Sequence, residues 1–229
     1  MPGTFFHGFS PAALALLRGL ARHNERAWFA PRKATFETEL LAPMRALVSD
    51  ASYALARANI PIRGDEKRSV FRIYRDVRFA HDKSPYRTNV AAYLSYDGGR
   101  ETPGGIYVHV EPERSFLSVA FYRIEKPMLD RWRRALLERP SDFSRVLGHL
   151  ERRGIPLQGP DYWDDALARM PRGYEAAAAS PLAPYFRVRS FCANRTLGDD
   201  DVLSGALVER IVRLAKDARP LLEFGWSLE

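Results

Sequence analysis

Two short runs of alternating apolar residues set the tightest limit on what this chain can fold into. In Ile106–Glu111 (IYVHVE), Ile106, Val108 and Val110 fall on one face of a strand. In Phe116–Tyr122 (FLSVAFY), Leu117, Val119 and Phe121 do the same. Pro112-Glu113-Arg114 supplies a turn between them, so the two runs predict an antiparallel hairpin. One face of that hairpin is apolar along its length and must be covered. The other carries Tyr107, His109, Glu111, Ser118 and Tyr122.

Further strands are expected over 69–75, over 89–96 (NVAAYLSY, ended by Asp97-Gly98-Gly99) and at the end of 182–191. Helical spacing dominates both ends. Ser10-Pro11 reads as an N-cap with proline at the first helical position, and Ala13, Leu16, Leu17 and Leu20 share a face behind it. Phe36, Leu40, Met44, Leu47, Ala51 and Leu55 mark a longer helix, which Pro43 is expected to kink or split because it lacks an N–H. Met128, Leu129, Trp132 and Leu136 mark a third helix, and Phe143, Val146, Leu147 and Leu150 a fourth. The last is predicted over 199–216, with three aspartates at its positive end and Leu203, Leu207, Ile211 and Leu214 as its stripe. Helices, then an antiparallel meander, then helices again argue an α+β fold: an antiparallel sheet flanked by N-terminal and C-terminal helices. The expectation is one domain over residues 1–229, with two lobes around a shared core as a variant.

With 46% hydrophobic residues, the chain has the material for a core, and its 28% charged residues are ordinary for a folded protein. Cys192 is the only cysteine, which excludes an internal disulfide framework and a cysteine metal cluster. The start, MPGTFFHGFS, has no signal-peptide pattern, and no apolar run is long enough to span a bilayer. The expected location is cytoplasmic, with no membrane partner. A formal net charge of +7 favours anionic partners, either small molecules or nucleic acid, although arginine-rich coding bias gives the same balance.

That charge is concentrated in and around Ser69–Asn89 (SVFRIYRDVRFAHDKSPYRTN). Between Arg63 and Arg87 lie eight basic residues and four acids, Asp65, Glu66, Asp76 and Asp82, a local excess of +4. Phe71, Tyr74, Phe79 and Tyr86 interleave with them. Guanidinium forks bind phosphate or carboxylate, and aromatic faces stack on rings. Two readings are open: a ligand site on Arg72, Tyr74, Arg75, Asp76, Arg78, Lys83, Tyr86 and Arg87, or internal arginine–aspartate pairing that pins a loop.

The run Phe71-Arg72-Ile73-Tyr74-Arg75-Asp76-Val77-Arg78-Phe79, followed by Asp82-Lys83-Ser84-Pro85-Tyr86-Arg87-Thr88, resembles the signature of an uncharacterised bacterial and fungal family, domain of unknown function 2461. Asn24-Glu25-Arg26-Ala27-Trp28-Phe29 is similar to that family's Asn-x-x-x-Trp-Phe element. The stretch from Gly105 to Pro112 is similar to its hairpin, and Pro171-Arg172-Gly173-Tyr174 to its Pro-Lys-Gly-Tyr element. Ser180-Pro181 stands where the family often has His-Pro, and Ala120 stands near a family glycine. The resemblance implies a fold and a shared site, and no activity.

Other chemistry is sparse. His109 and Glu111, two apart on a strand, point the same way and form an acid–base candidate; with Asp76 they would make a hydrolase site. The alternative is an exposed polar sheet face. His81 is the one other histidine inside the signature region. No phosphate loop, nucleophile elbow, dinucleotide fingerprint, metal-ligand spacing or cofactor motif is present. The sequence therefore favours a pocket for a phosphate- or carboxylate-bearing ligand. Nucleic-acid binding, hydrolysis through His109, Glu111 and Asp76, and a non-enzymatic interaction module are the alternatives.

Overall fold

A computed structural model describes residues 5–78 and 81–228; Phe79 of the signature lies outside the described residues. In chain order the helices and strands are α1 (Pro11–Arg22), α2 (Arg26–Phe29), α3 (Lys33–Phe36), α4 (Ala42–Arg57), β1 (Val90–Leu94), β2 (Gly105–Val110), β3 (Phe116–Phe121), α5 (Lys126–Glu138), α6 (Pro140–Arg152), α7 (Ala183–Phe186), β4 (Phe191–Thr196), α8 (Asp199–Val202), α9 (Leu207–Asp217) and α10 (Arg219–Trp226). The four strands form one sheet in the order β1-β2-β3-β4, and helices occupy both ends of the chain, so the fold is α+β. β1 runs antiparallel to β2, with Ala92 opposite Val108. The apolar faces read from the alternation are buried: Ile106, Val108, Val110, Leu117, Val119 and Phe121 are all fully covered.

By contact density the chain divides into two compact units. The first comprises Met1–Thr102, Ile106–Leu117 and Thr196–Arg213. The second comprises Pro103–Gly105, Ser118–Arg195 and Leu214–Glu229. In the first, the Ser10 hydroxyl caps α1 by accepting the Ala13 amide at 3.1 Å. Leu17 and Leu20 of α1, and Leu40, Met44, Leu47 and Leu55 of the following helical run, are buried. Pro43 neither splits nor ends that run. The residues before it, Glu37–Leu41, take a π turn in which the Ala42 amide reaches Glu37, and the widened turn absorbs the missing donor. The core of the second unit is aromatic: Trp132 stacks on Phe191 at 3.9 Å and meets Phe121, Phe143 and Phe224 edge-on or tilted.

Two expected elements are corrected. The strand over 69–75 is absent. Val70 makes a single bridge to Ala92 of β1, and four residues on Tyr74 makes a single bridge to Tyr86 instead. Because the chain changes partner between the two, no ladder develops. The helix over 199–216 is two helices. The Phe9 amide takes the Val202 carbonyl at 3.1 Å, and the Ser204 hydroxyl takes the Ala206 amide at 3.2 Å, so the backbone bonds that would continue α8 into α9 are already used. Gly8 makes this approach possible. Its φ is +110°, and a Cβ there would stand 2.1 Å from the Leu203 carbonyl oxygen.

Candidate functional site

The signature segment folds as a closed loop in the first unit. At its neck, the Arg75 amide bonds the Pro85 carbonyl at 2.9 Å and the Arg87 amide bonds the Ile73 carbonyl at 2.8 Å. The outer edge of Tyr86 is satisfied by a side chain from just beyond the end of α1. Asn24 Nδ2 donates to the Tyr86 carbonyl at 2.9 Å, and Asn24 Oδ1 accepts the Tyr86 amide at 3.0 Å. One amide side chain thus serves as a one-residue strand. The Tyr86 ring is buried against Phe29, 4.4 Å between centroids.

Within the loop, most of the predicted cations are tied down. Arg75 pairs with Asp82. Arg78 forks onto Asp76 at 2.7 and 3.0 Å. Lys83 Nζ donates to the Val77 carbonyl at 3.0 Å. The Ser84 hydroxyl and amide also bond Asp82, and with Arg75 they hold its carboxyl well below the usual range. The hydrogen-bonding Arg78 guanidinium holds Asp76 at about 2. Two cations differ. Arg72 and Arg87 are exposed, and neither guanidinium has a hydrogen bond or ion pair among the described residues. Tyr74 stands half exposed over Tyr86, and His81 is exposed.

A cavity of about 480 Å³ opens beside this loop. Arg75, Asp76, Asp82 and Arg87 give it two charges of each sign, and Ser84, Thr88, Asn89 and Asn24 add neutral polar groups. Because both acids are already paired, Arg87 is the wall's unpaired cation among the described residues.

Behind Thr88 and Asn89 lies the polar face of β2. Glu111 Oε1 accepts the Thr88 hydroxyl at 2.6 Å, and Glu111 Oε2 stands 3.2 Å from His109 Nε2. His109 Nδ1 faces the Tyr107 hydroxyl at 3.1 Å and Asn89 Nδ2 at 3.3 Å. The imidazole stacks on Phe116 at 4.7 Å with a 19° tilt. Ser115 fixes the backbone of Glu111 by donating to its carbonyl at 2.7 Å and accepting its amide at 3.1 Å. This face is sheltered rather than open: the His109 and Glu111 side chains are 15% and 19% exposed. Burial pushes His109 down from its ordinary pKa, against the pull of Glu111, and the Arg114 and Arg87 charges push the same way.

The structure therefore brings His109 and Glu111 together but gives Asp76 no contact with them among the described residues; its carboxylate belongs to Arg78. Asn24, Ser84, Thr88 and Asn89 are the neutral polar members that sequence reasoning passed over as site residues. Asn24 opens the Asn-x-x-x-Trp-Phe element, which marks it without assigning it to the loop; no spacing marks the others, because loop closure places them. Cys192 is buried, and burial pushes its thiol up to about 12. No group of three or more metal-ligating side chains converges among the described residues.

A family model described as a conserved hypothetical protein (DUF2461) matches residues 12–224. The chain belongs to this family. The match takes in the Asn24 clamp, the loop and the whole of β2, so the site lies inside the DUF2461 region. No curated protein and no solved structure matches the chain. No described helix is long and apolar enough to cross a membrane.

Proposed function

We propose that the cleft beside Arg87 binds a small ligand carrying a phosphate or carboxylate group. The observation that carries this reading is the unpaired Arg87 guanidinium on the wall of a polar cavity whose acids are already neutralised. A planar guanidinium offers a two-pronged contact to such a group, and Ser84, Thr88 and Asn89 add neutral polar groups around it. The self-paired loop supports the reading in a second way. Arg75–Asp82 and Arg78–Asp76 hold the wall in shape before a ligand arrives, which lowers the ordering cost of binding.

The test is titration with inorganic phosphate and with acetate, followed by calorimetry and by amide shifts of residues 84–89. Wild-type protein should bind one of the two, and Arg87→Gln should weaken it at least tenfold, while Arg72→Gln, outside the cleft, should not. Equal binding by wild type and Arg87→Gln, or none by wild type, overturns the reading. Nucleic-acid binding gains less support, because three of the cations that would supply an electrostatic footprint are engaged inside the loop.

A further inference from the structure

We propose that Tyr107 is an activated phenol, a nucleophile served by His109 as base and Glu111 as orienting acid. Tyr107 and His109 alternate along β2 and share a face, and Glu111, one residue past the end of the strand, turns its carboxylate to His109. They stand in the order nucleophile, base, orienter, with contacts of 3.1 Å and 3.2 Å.

Proton positions follow from the chemistry of the groups. A carboxylate only accepts, so His109 Nε2 carries the hydrogen that faces Glu111. In the neutral ring Nδ1 then holds a lone pair, to which the Tyr107 hydroxyl can donate. Thr88 holds the far oxygen of Glu111, and Phe116 holds the plane of the ring. Asn89 shares Nδ1 with Tyr107 and also lines the cleft, which makes the phenol and the cleft neighbours.

The substrate class rests on the reading of the cleft: a phosphate ester whose charge sits on Arg87. Tyr107 Oη would form a bond to phosphorus as the ester P–O bond breaks. The phenolic proton passes to His109 Nδ1 and then to the leaving alkoxide. Water next attacks the phosphotyrosine and gives its proton to His109 Nδ1; the P–Oη bond breaks, His109 returns that proton to the departing Tyr107 oxygen, and phosphate, free Tyr107 and neutral His109 are regenerated.

The nucleophile can be tested without the cleft. An aryl sulfonyl fluoride, dansyl fluoride, reacts with a phenol by forming an O–S bond and expelling fluoride, and the labelled tyrosine is read by peptide mass mapping. In the full-length protein, Tyr107 should label at least ten times faster than the exposed Tyr74, Tyr96 and Tyr122. Its rate should level off above the titration of His109, which burial sets below the ordinary imidazole value against the pull of Glu111. The exposed tyrosines should instead gain tenfold per pH unit up to their own ionisation near pH ~10. His109→Gln and Glu111→Gln should slow Tyr107 at least tenfold with Tyr96 unchanged. Labelling of Tyr107 no faster than the exposed tyrosines, or a wild-type rate that climbs with pH as theirs does, overturns the proposal whether or not the variants fold. Phosphate binding lost in Arg87→Gln with Tyr107 labelling intact would separate the two sites.

Discussion

The side-chain amide of Asn24 grips the backbone of Tyr86 from both sides, donating at 2.9 Å and accepting at 3.0 Å across 62 positions of sequence. It is the link that ties the end of α1 to the neck of the charged loop. Asn24→Asp keeps the shape and removes the donor, which leaves the Tyr86 carbonyl facing a carboxylate. Asn24→Ala removes both bonds. Each should cost about 1–3 kcal/mol, the penalty for stranding a part-buried backbone group. Urea denaturation measures the loss, and limited proteolysis should show earlier cutting within 74–86. Unchanged stability in both variants would mean that water replaces the amide at no cost.

Acid should loosen this loop, the turn after β1 and the polar face of β2 in a defined window. Asp76 is held at about 2 by hydrogen bonds from Arg78. Asp97 is held at about 2 by the Gly99 amide, with the Thr102 and Ser95 side chains adding to it. Asp82 is lowered further. Each folded value lies below the ordinary aspartate value of 3.8, so the stabilisation is complete above about pH 4 and is lost as pH falls toward about 2. All three groups are exposed, and solvent screens them, so the effect per group is small. His109 adds an earlier step of the same sign. Its folded value is below 6.5, the unfolded chain takes the proton first, and stability begins to fall below about pH 6.5. Thermal midpoints from pH 8 to pH 2 should show both steps. His109→Gln should erase the first, and Asp97→Asn should shallow the second.

What the sequence made legible was whatever depends on periodicity. Ile106, Val108 and Val110 alternate, and so they are buried; Leu16, Leu17 and Leu20 share a helical face, and they are buried too. What it hid depends on who else competes for a backbone group. Residues 69–75 have the composition of a strand, but Ser69 and Phe71 bond to β1 while Ile73 and Arg75 bond to the returning chain at 85–87. Leu203 has helical spacing with Leu207, yet the Val202 carbonyl is claimed by Phe9, nearly two hundred residues away. The arginines and aspartates of the loop were visible as a cluster. Their pairing was not, because Asp76 could have reached Arg75, Arg78 or Arg72, and only the turn geometry selects Arg78.

Two left-handed glycines give a paired prediction on the second unit. Gly104 has φ +78°, and a Cβ there would stand 2.5 Å from the Phe121 ring and 2.6 Å from the Trp226 indole nitrogen, which donates to the Gly104 carbonyl at 3.1 Å. Gly154 has φ +67° with nothing within 4 Å. Both alanine variants incur the backbone cost of that conformation, about 1–2 kcal/mol. Only Gly104→Ala must also displace two buried or part-buried aromatic side chains, which adds about 1–3 kcal/mol. Denaturant midpoints should therefore drop clearly further for Gly104→Ala than for Gly154→Ala. Equal losses would show that Phe121 and Trp226 have room to move.

Trp132 offers the sharpest test of the aromatic core. It is fully buried, stacked on Phe191 at 3.9 Å and touched by Phe121, Phe143 and Phe224. Its indole N–H has no acceptor among the described residues. Two effects of a smaller residue then oppose each other. Trp132→Phe loses contact area and opens a small void, but it also removes a stranded donor whose burial costs about 1–3 kcal/mol. Trp132→Ala gains the same relief and cannot fill the space, so it should lose about 3–5 kcal/mol. Trp132→Phe is expected to stay within about 1 kcal/mol of wild type in urea denaturation. A loss close to that of the alanine variant would mean that the indole nitrogen is hydrogen-bonded in solution, most simply to a buried water.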